Sequence, residues 1–288
     1  MTIKEILESK KLLLSFELFP PKKEQGFEGV FEAAEKLSFL RPDFISVTCG
    51  AGGTTGGNTS QVAAKIKSMG IPPLAHLTCI DNTRECLMQK IQEMKGLGIK
   101  NVLALRGDKK IDSSDFKQAF EHASDIVPLL KQAGFCTGGA CYPEGHPESP
   151  CLDADIDNLH YKVDAGVDFL TTQMFFDNNM LYSYLYRLNS KGIHLPVLAG
   201  IMPVTNASQV QKMVRLSGAH VPPKLAMLCD KFSSNREAMY QAGISYAVDQ
   251  ILDLISNGIR GIHIYTMNKA NVACDILKNL NSVFEAAA

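Results

Sequence analysis

Glu17 stands in the run LLLSFELFPPK (residues 12–22), a carboxyl group inside a segment that otherwise reads as a buried strand. A charge there is costly unless it is paired, solvated at a strand end, or neutralised. Other reactive side chains recur at the ends of short apolar runs. His76 and Thr78 close PLAHLTCI, and Arg106 and Asp108 close NVLALRGD. Thr172 and Gln173 lie in DFLTTQMFF, Thr48 in DFISVTCG, and Tyr265, Thr266 and Asn268 in GIHIYTMN. The segment YPEGHPE (142–148) carries Tyr142, Glu144, His146 and Glu148 on a loop stiffened by two prolines. Carboxyl and imidazole groups are the usual agents of proton transfer, and a guanidinium suits carboxylates and phosphates. Each residue also has a plainer reading. A strand-end Glu often sits in a loop ion pair, a histidine often packs, RGD is usually a solvated turn, and QMFF reads as core. The concentration of polar groups at one end of successive apolar runs is the signal.

Those groups need elements to hold them. Strand patterns occur at 12–19, 43–50, 73–80, 101–108, 136–143, 168–176, 196–203 and 261–268. Helical patterns alternate with them at 27–39, 58–69, 83–97, 115–133, 152–166, 178–191, 206–257 and 270–285. Apolar residues in DIVPLLKQAG and YAVDQILDLISNG recur at three- and four-residue spacing, and Gly134, Gly166, Gly192 and Gly258 stand where helices should stop. Near-continuous apolar strands separated by helices predict a parallel sheet covered on its outer face. Eight such units predict a (β/α)8 TIM barrel in a single domain, residues 1–288. The rival, an open doubly wound sheet, lacks a GxGxxG after its first strand. GAGGTTGG (50–57) follows the second strand and is neither a Walker loop nor a dinucleotide fingerprint. The region 206–257 is longer than one βα unit needs and predicts an additional helix between strands 7 and 8. In such a barrel the chemistry belongs at the C-terminal ends of the strands, where the polar residues fall.

Composition narrows the class. Of 288 residues, 45% are hydrophobic and 20% charged, with a net charge of −1. That balance leaves no electrostatic footprint for nucleic acid or an anionic membrane. No run approaches about 18 apolar residues, so no transmembrane helix is expected. The N-terminal MTIKEILESKK reads as a short amphipathic helix without the features of a signal peptide, which predicts a cytoplasmic protein. No pair of the eight cysteines has CxxC spacing, so neither structural disulfides nor a standard zinc site is expected. Cys141, His146 and Cys151 match no standard zinc spacing, and no metal is expected.

The motifs together resemble the methylenetetrahydrofolate reductase family. The carriers are SFELFPPK, FISVTCGAGG, AHLTCID, VLALRGD, YPEGHPE, NLHYKVDAGVDFLTTQMFFD, GIMPVTN and IHIYTMNKA, in order from residue 15 to residue 270. The resemblance implies a barrel that binds FAD at its strand C-termini. NADH or NADPH reduces the flavin and leaves, and 5,10-methylenetetrahydrofolate then takes the hydride to become 5-methyltetrahydrofolate. It also implies one-carbon metabolism, a homo-oligomer, and the short bacterial form without a C-terminal regulatory domain.

Residue roles follow from motif position. The resemblance implies that Glu17 is the general acid that opens the folate's five-membered ring. Asp108 would lie near flavin and folate and stabilise the cationic iminium, and Gln173 would contact both nicotinamide and pterin. Gln209 and Lys269 would bind folate. FAD would be held by Thr48, Ala51, His76, Arg106, Gly107, Asp108, Ala123, Tyr142, His146, Asp155, Asn158 and Lys162. Four positions depart from the family's habit: Cys49 for Tyr, Tyr161 for Arg, Met213 for Phe and Lys269 for Arg. A Lys keeps the charge of an Arg but loses its bidentate pairing. Three alternatives stay open: electrons fed by an accessory partner protein, a non-catalytic flavin- or folate-binding barrel, and a lyase or aldolase on the same fold.

Overall fold

The computed structural model describes residues 1–21, 26–49, 57–80, 82–107 and 119–287. Eight parallel strands close into a barrel in sequence order. They are β1 Leu13–Leu18, β2 Phe44–Val47, β3 Pro73–Thr78, β4 Asn101–Leu105, β5 Cys136–Cys141, β6 Phe169–Thr172, β7 Val197–Ile201 and β8 Gly261–Tyr265. β1 pairs with β8 through Leu13↔Gly261 to Glu17↔Tyr265, which completes the ring. The helices are α1 Ile3–Ser9, α2 Phe27–Ser38, α3 Gly57–Ser68, α4 Arg84–Gly96, α5 Ala123–Gln132 and α6 Leu152–Ala165. They continue with α7 Asn178–Ser190, α8 Ala207–Ser217, α9 Pro223–Phe232, α10 Arg236–Ser256, α11 Ala270–Lys278 and α12 Asn281–Ala287.

The two-residue period of a strand sorts each side chain to the inside or the outside. Outward residues such as Leu14, Phe16, Leu18, Ile45 and Val47 join the core under the helices. Inward residues form layers. At the N-terminal end Leu13, Phe44, Leu74, Leu103, Cys136, Phe169 and Leu198 pack with Ile3, Ile6 and Leu7 of α1. That helix therefore plugs the bottom of the barrel. A capping box between Thr2 and Glu5 starts it, and Asn101 Oδ1 accepts the Ile3 amide at 2.8 Å. Two residues further along, the inward positions hold Ser15, Ser46, His76, Gly138, Gly200 and His263, so the interior turns polar as it rises. Gly138 is required by packing: a Cβ there would lie 2.5 Å from Phe169 Cζ and 2.9 Å from Leu103 Cδ1.

Two segments differ from expectation. The 206–257 region holds three helices rather than one plus an addition. Gly218 at φ 73° ends α8, Pro222 and Pro223 start α9, and Asn235 caps α10 by accepting from the Glu237 and Ala238 amides. Of the helix expected at 115–133, residues 115–118 lie outside the described residues, and α5 begins at Ala123, where Asp125 Oδ2 accepts the Glu121 and His122 amides at 2.9 Å and fixes the entry turn.

Candidate active site

Glu17 is the last inward residue of β1 and is only 7% exposed. Among the described residues, its close side-chain contacts fall on Oε2. Ser46 Oγ of β2 donates to it at 3.3 Å, His76 Nε2 of β3 lies 3.6 Å away, and His263 Nε2 of β8 lies 3.7 Å away. Burial, opposed by the charge of Glu17 and aided by His263, holds the His76 imidazole down to about 4. His76 is therefore neutral near pH 7, and its contact with Glu17 is not an ion pair. Below them His263 Nδ1 meets Ser15 Oγ at 2.8 Å. The Glu17 carbonyl accepts from Thr266 Oγ1 at 2.6 Å. Asn268, at φ 59°, both accepts from the Phe19 amide and donates to its carbonyl. The end of β8 thus clamps the end of β1 and fixes the height of the carboxyl group.

A second group is cationic. Arg106, just past β4, makes a bidentate pair with Glu148 at 2.8 and 2.5 Å, which raises its affinity for its proton. Lys162 of α6 reaches the end of β5, donating to the Ala140 carbonyl at 2.8 Å. Its Nζ lies 5.8 Å from the Tyr142 ring centroid. Burial pushes its ammonium down from the usual range. His146 stands edge-on to Tyr142 at 4.8 Å, and burial followed by Arg106 lowers its imidazole. Asp155, in the first turn of α6, accepts from Ser149 Oγ at 3.0 Å. Asn158 is exposed on the same helix, and Ala123 is buried at the first residue of α5.

Buried polar atoms without a partner test whether a ligand would fit. Among the described residues Thr48 Oγ1, His76 Nε2 and Thr171 Oγ1 are such atoms, all at inward positions toward the C-terminal ends of their strands. Gly107, at φ 88°, is bare beside Thr78 and Ile80: a Cβ there would meet Ile80 Cγ2 at 2.7 Å. Arg106, Lys162 and His146 supply cationic or convertible groups for phosphates. The set fits a large polar anion with several hydrogen-bonding edges, as a dinucleotide flavin is. Among the described residues no group of three or more His, Cys, Asp or Glu could hold a metal ion. Cys141 is buried beside Tyr184 and Cys151 is exposed.

The structure brings Glu17 together with His76, and Arg106 with Tyr142, His146 and Lys162. Gln173 follows β6, with its Oε1 accepting its own neighbour's amide, Met174, at 2.9 Å. Gln209 is half-buried in the first turn of α8. Lys269 is exposed and lines a shallow groove with Glu32 and Lys36 of α2. Ala51 and Asp108 lie outside the described residues, as does most of GAGGTTGG. Of the departures, Cys49 Sγ lies 3.6 Å from Thr78 Oγ1, Tyr161 is 68% exposed, and Met213 is buried with Phe176, Met202 and Val210. The two loop acids have structural partners, Glu148 with Arg106 and Glu144 with the His220 amide at 2.8 Å. Sequence reasoning missed Ser15, Ser46 and His263. The available signal was strand phase: if Glu17 points inward, so do Ser15 on β1 and His263 beside Tyr265 on β8.

The family model and the curated sequence relatives agree on one family. The family model described as methylenetetrahydrofolate reductase matches residues 2–281. The 5,10-methylenetetrahydrofolate reductase of Pectobacterium carotovorum subsp. carotovorum is 35% identical over 272 residues, covering 94% of this chain and 90% of that protein. The Escherichia coli (strain K12) protein of the same name is 35% identical over 269 residues, covering 93% and 90%. Methylenetetrahydrofolate reductase (NADH) 1 of Arabidopsis thaliana is 32% identical over 302 residues, covering 99% of this chain and 51% of the plant protein. Among solved structures, an uncharacterized protein from Clostridium thermocellum that binds two copies of 5-methyl-5,6,7,8-tetrahydrofolic acid superposes with a TM-score of 0.67 at 16% identity. The match covers 98% of this chain and 100% of that one, a likeness of fold.

Proposed function

The chain belongs to the methylenetetrahydrofolate reductase family, and on that premise we propose that it reduces 5,10-methylenetetrahydrofolate to 5-methyltetrahydrofolate with electrons from NADH or NADPH by way of FAD. FAD bound there would supply the hydride-carrying chemistry between nicotinamide and the folate's methylene carbon. The observation that carries the reading is a buried carboxyl, Glu17, at the polar end of a barrel whose other end is plugged.

The chain's own residues would do the rest. Glu17 donates a proton to the ring nitrogen that leaves as the five-membered ring opens to an iminium. His76 and Ser46 flank the carboxyl and limit its motion. Arg106, His146 and Lys162, with Thr48, Gly107, Tyr142, Asp155, Asn158 and Ala123, would hold the flavin, the cations meeting its phosphates. Gln173 would orient nicotinamide and pterin in turn, with Gln209 and Lys269 on the folate. Asp108 and Ala51 complete the set by motif. A negative charge at Asp108 would stabilise the cationic iminium.

The visible spectrum tests the cofactor. The purified protein should show flavin bands near about 380 and 450 nm, and NADH without oxygen should bleach them. Flavin that stays oxidised with NADH and NADPH would overturn direct donation and favour a partner-fed reductase. No flavin, even after incubation with FAD, would overturn the reading.

A further inference from the structure

The hydrogen bonds beneath Glu17 close in one way when its carboxyl is ionised and the His263 imidazole is neutral. A carboxylate only accepts, so the single hydroxyl proton of Ser46 goes to Glu17 Oε2 at 3.3 Å. The Ser46 oxygen is then an acceptor toward His263 Nε2 at 3.4 Å, and Nε2 must carry the imidazole proton. Nδ1 is left bare, and Ser15 Oγ donates to it at 2.8 Å. The other acceptor for that hydroxyl, the Ile262 carbonyl, is farther, at 3.3 Å. Ser15 and Ser46 are 0% exposed and His263 1%, so protein groups alone must satisfy them. Phe44 stacks on the His263 ring at 5.9 Å and Tyr265 meets it edge-on at 5.3 Å, which holds its plane.

We propose that His263 is a positioning residue for the proton donor Glu17: through Ser15 and Ser46 it sets a one-way chain of donors ending on Oε2, and leaves Oε1 to carry the proton given to substrate. The inference rests on the proposed role of Glu17. When the proton leaves Oε1, the charge left behind is met by the Ser46 hydroxyl, itself held by the His263 Nε2–H. No proton enters or leaves the chain of donors in that step.

Among the described residues, the titratable groups facing Glu17 are His76 from β3 and His263 and Tyr265 from β8, while β2 presents the Ser46 hydroxyl. His76 titrates at about 4, and burial with the Glu17 charge raises Tyr265 well above 10, so neither shapes a rate profile near neutrality. The first test is 15N NMR of the histidine-labelled, flavin-loaded protein. His263 should show the neutral tautomer protonated on Nε2, and a proton on Nδ1 would overturn the proposal. The second test measures single-turnover flavin reduction and folate reduction separately across pH. Ser46→Ala and His263→Phe should lower the folate step relative to flavin reduction by about tenfold. They should also move the pH at which that step falls to half upward, because the ionised carboxyl loses a donor. His263→Gln, whose amide can still donate toward Ser46, should recover most of the rate. Unchanged profiles in Ser46→Ala and His263→Phe would overturn the proposal, and where His263→Phe fails to fold an unchanged Ser46→Ala profile overturns it alone. Wild-type flavin that NADH does not bleach would instead contradict direct donation, and the tautomer would still decide the inference.

Discussion

The role proposed for Glu17, giving up a proton in every turnover, needs surroundings that accept both charge states of its carboxyl. Glu17 has them: apolar walls on its strand neighbours, and one hydroxyl and two imidazoles around Oε2. Glu17→Gln keeps shape and removes the acid. It should slow folate reduction by about 10²- to 10⁴-fold while NADH still reduces the flavin, measured as separate half-reactions. Equal losses in both would contradict the role. His76 gives a pH prediction on stability. In the fold it titrates at about 4 against 6.5 when unfolded. Between those values the unfolded chain binds more protons, so stability rises with pH through that window and falls as pH drops from 6.5 toward 4. The shift corresponds to on the order of 3 kcal/mol. Urea titrations at both ends of the window should show wild type losing more than His76→Gln, and parallel losses would contradict it. Glu17 was legible because its type clashes with its strand. His263 was not, because Ile262 and Ile264 on either side make it read as core, and only the shared inward phase of β1 and β8 reveals it.

The elements matter through how closely they let side chains approach. Gly200 of β7 lies beneath Tyr265 of β8, whose hydroxyl donates to the Thr172 carbonyl at 2.5 Å. A Cβ at residue 200 would collide with that hydroxyl and lie 2.7 Å from the carbonyl oxygen, which is backbone and cannot swing away. Gly200→Ala should cost about 1–3 kcal/mol in equilibrium unfolding. It should also disturb folate turnover, since Tyr265 pairs in register with Glu17. An unchanged unfolding midpoint would refute the packing. The alternation of apolar runs and helical periods made the barrel readable from sequence. The strands end one to four residues earlier than their apolar patterns, and the described residues just past them, such as Thr48, Arg106 and Gln173, lie beyond the ladder. The length of 206–257 made an additional helix between β7 and β8 legible, but not the second break, so the reading fell one helix short of α8, α9 and α10 with their stops at Gly218 and Ser233.

At the scale of the whole molecule, one end of the barrel is shut by α1 and the other collects the polar side chains, so substrates have a single end to approach. No helix among the described residues is long and apolar enough to cross a membrane, and the net charge of −1 offers no broad attraction for polyanions. Under the proposed function, binding of an anionic flavin would depend on local cations such as Arg106 and Lys162 rather than on the overall field. The overall assignment was legible because the motifs follow one another along the chain. Individual ligand roles were less so, since a residue type at a strand end does not say where its side chain points, as exposed Lys269 beside α2 illustrates.

The central claim is hydride delivery to the folate at this mouth, and anaerobic single turnover tests it most directly. Enzyme reduced by one equivalent of NADH, freed of nucleotide and mixed with 5,10-methylenetetrahydrofolate should regain its flavin colour and release one equivalent of 5-methyltetrahydrofolate. Reduced flavin that persists in the presence of the folate, or colour that returns without that product, would contradict the account.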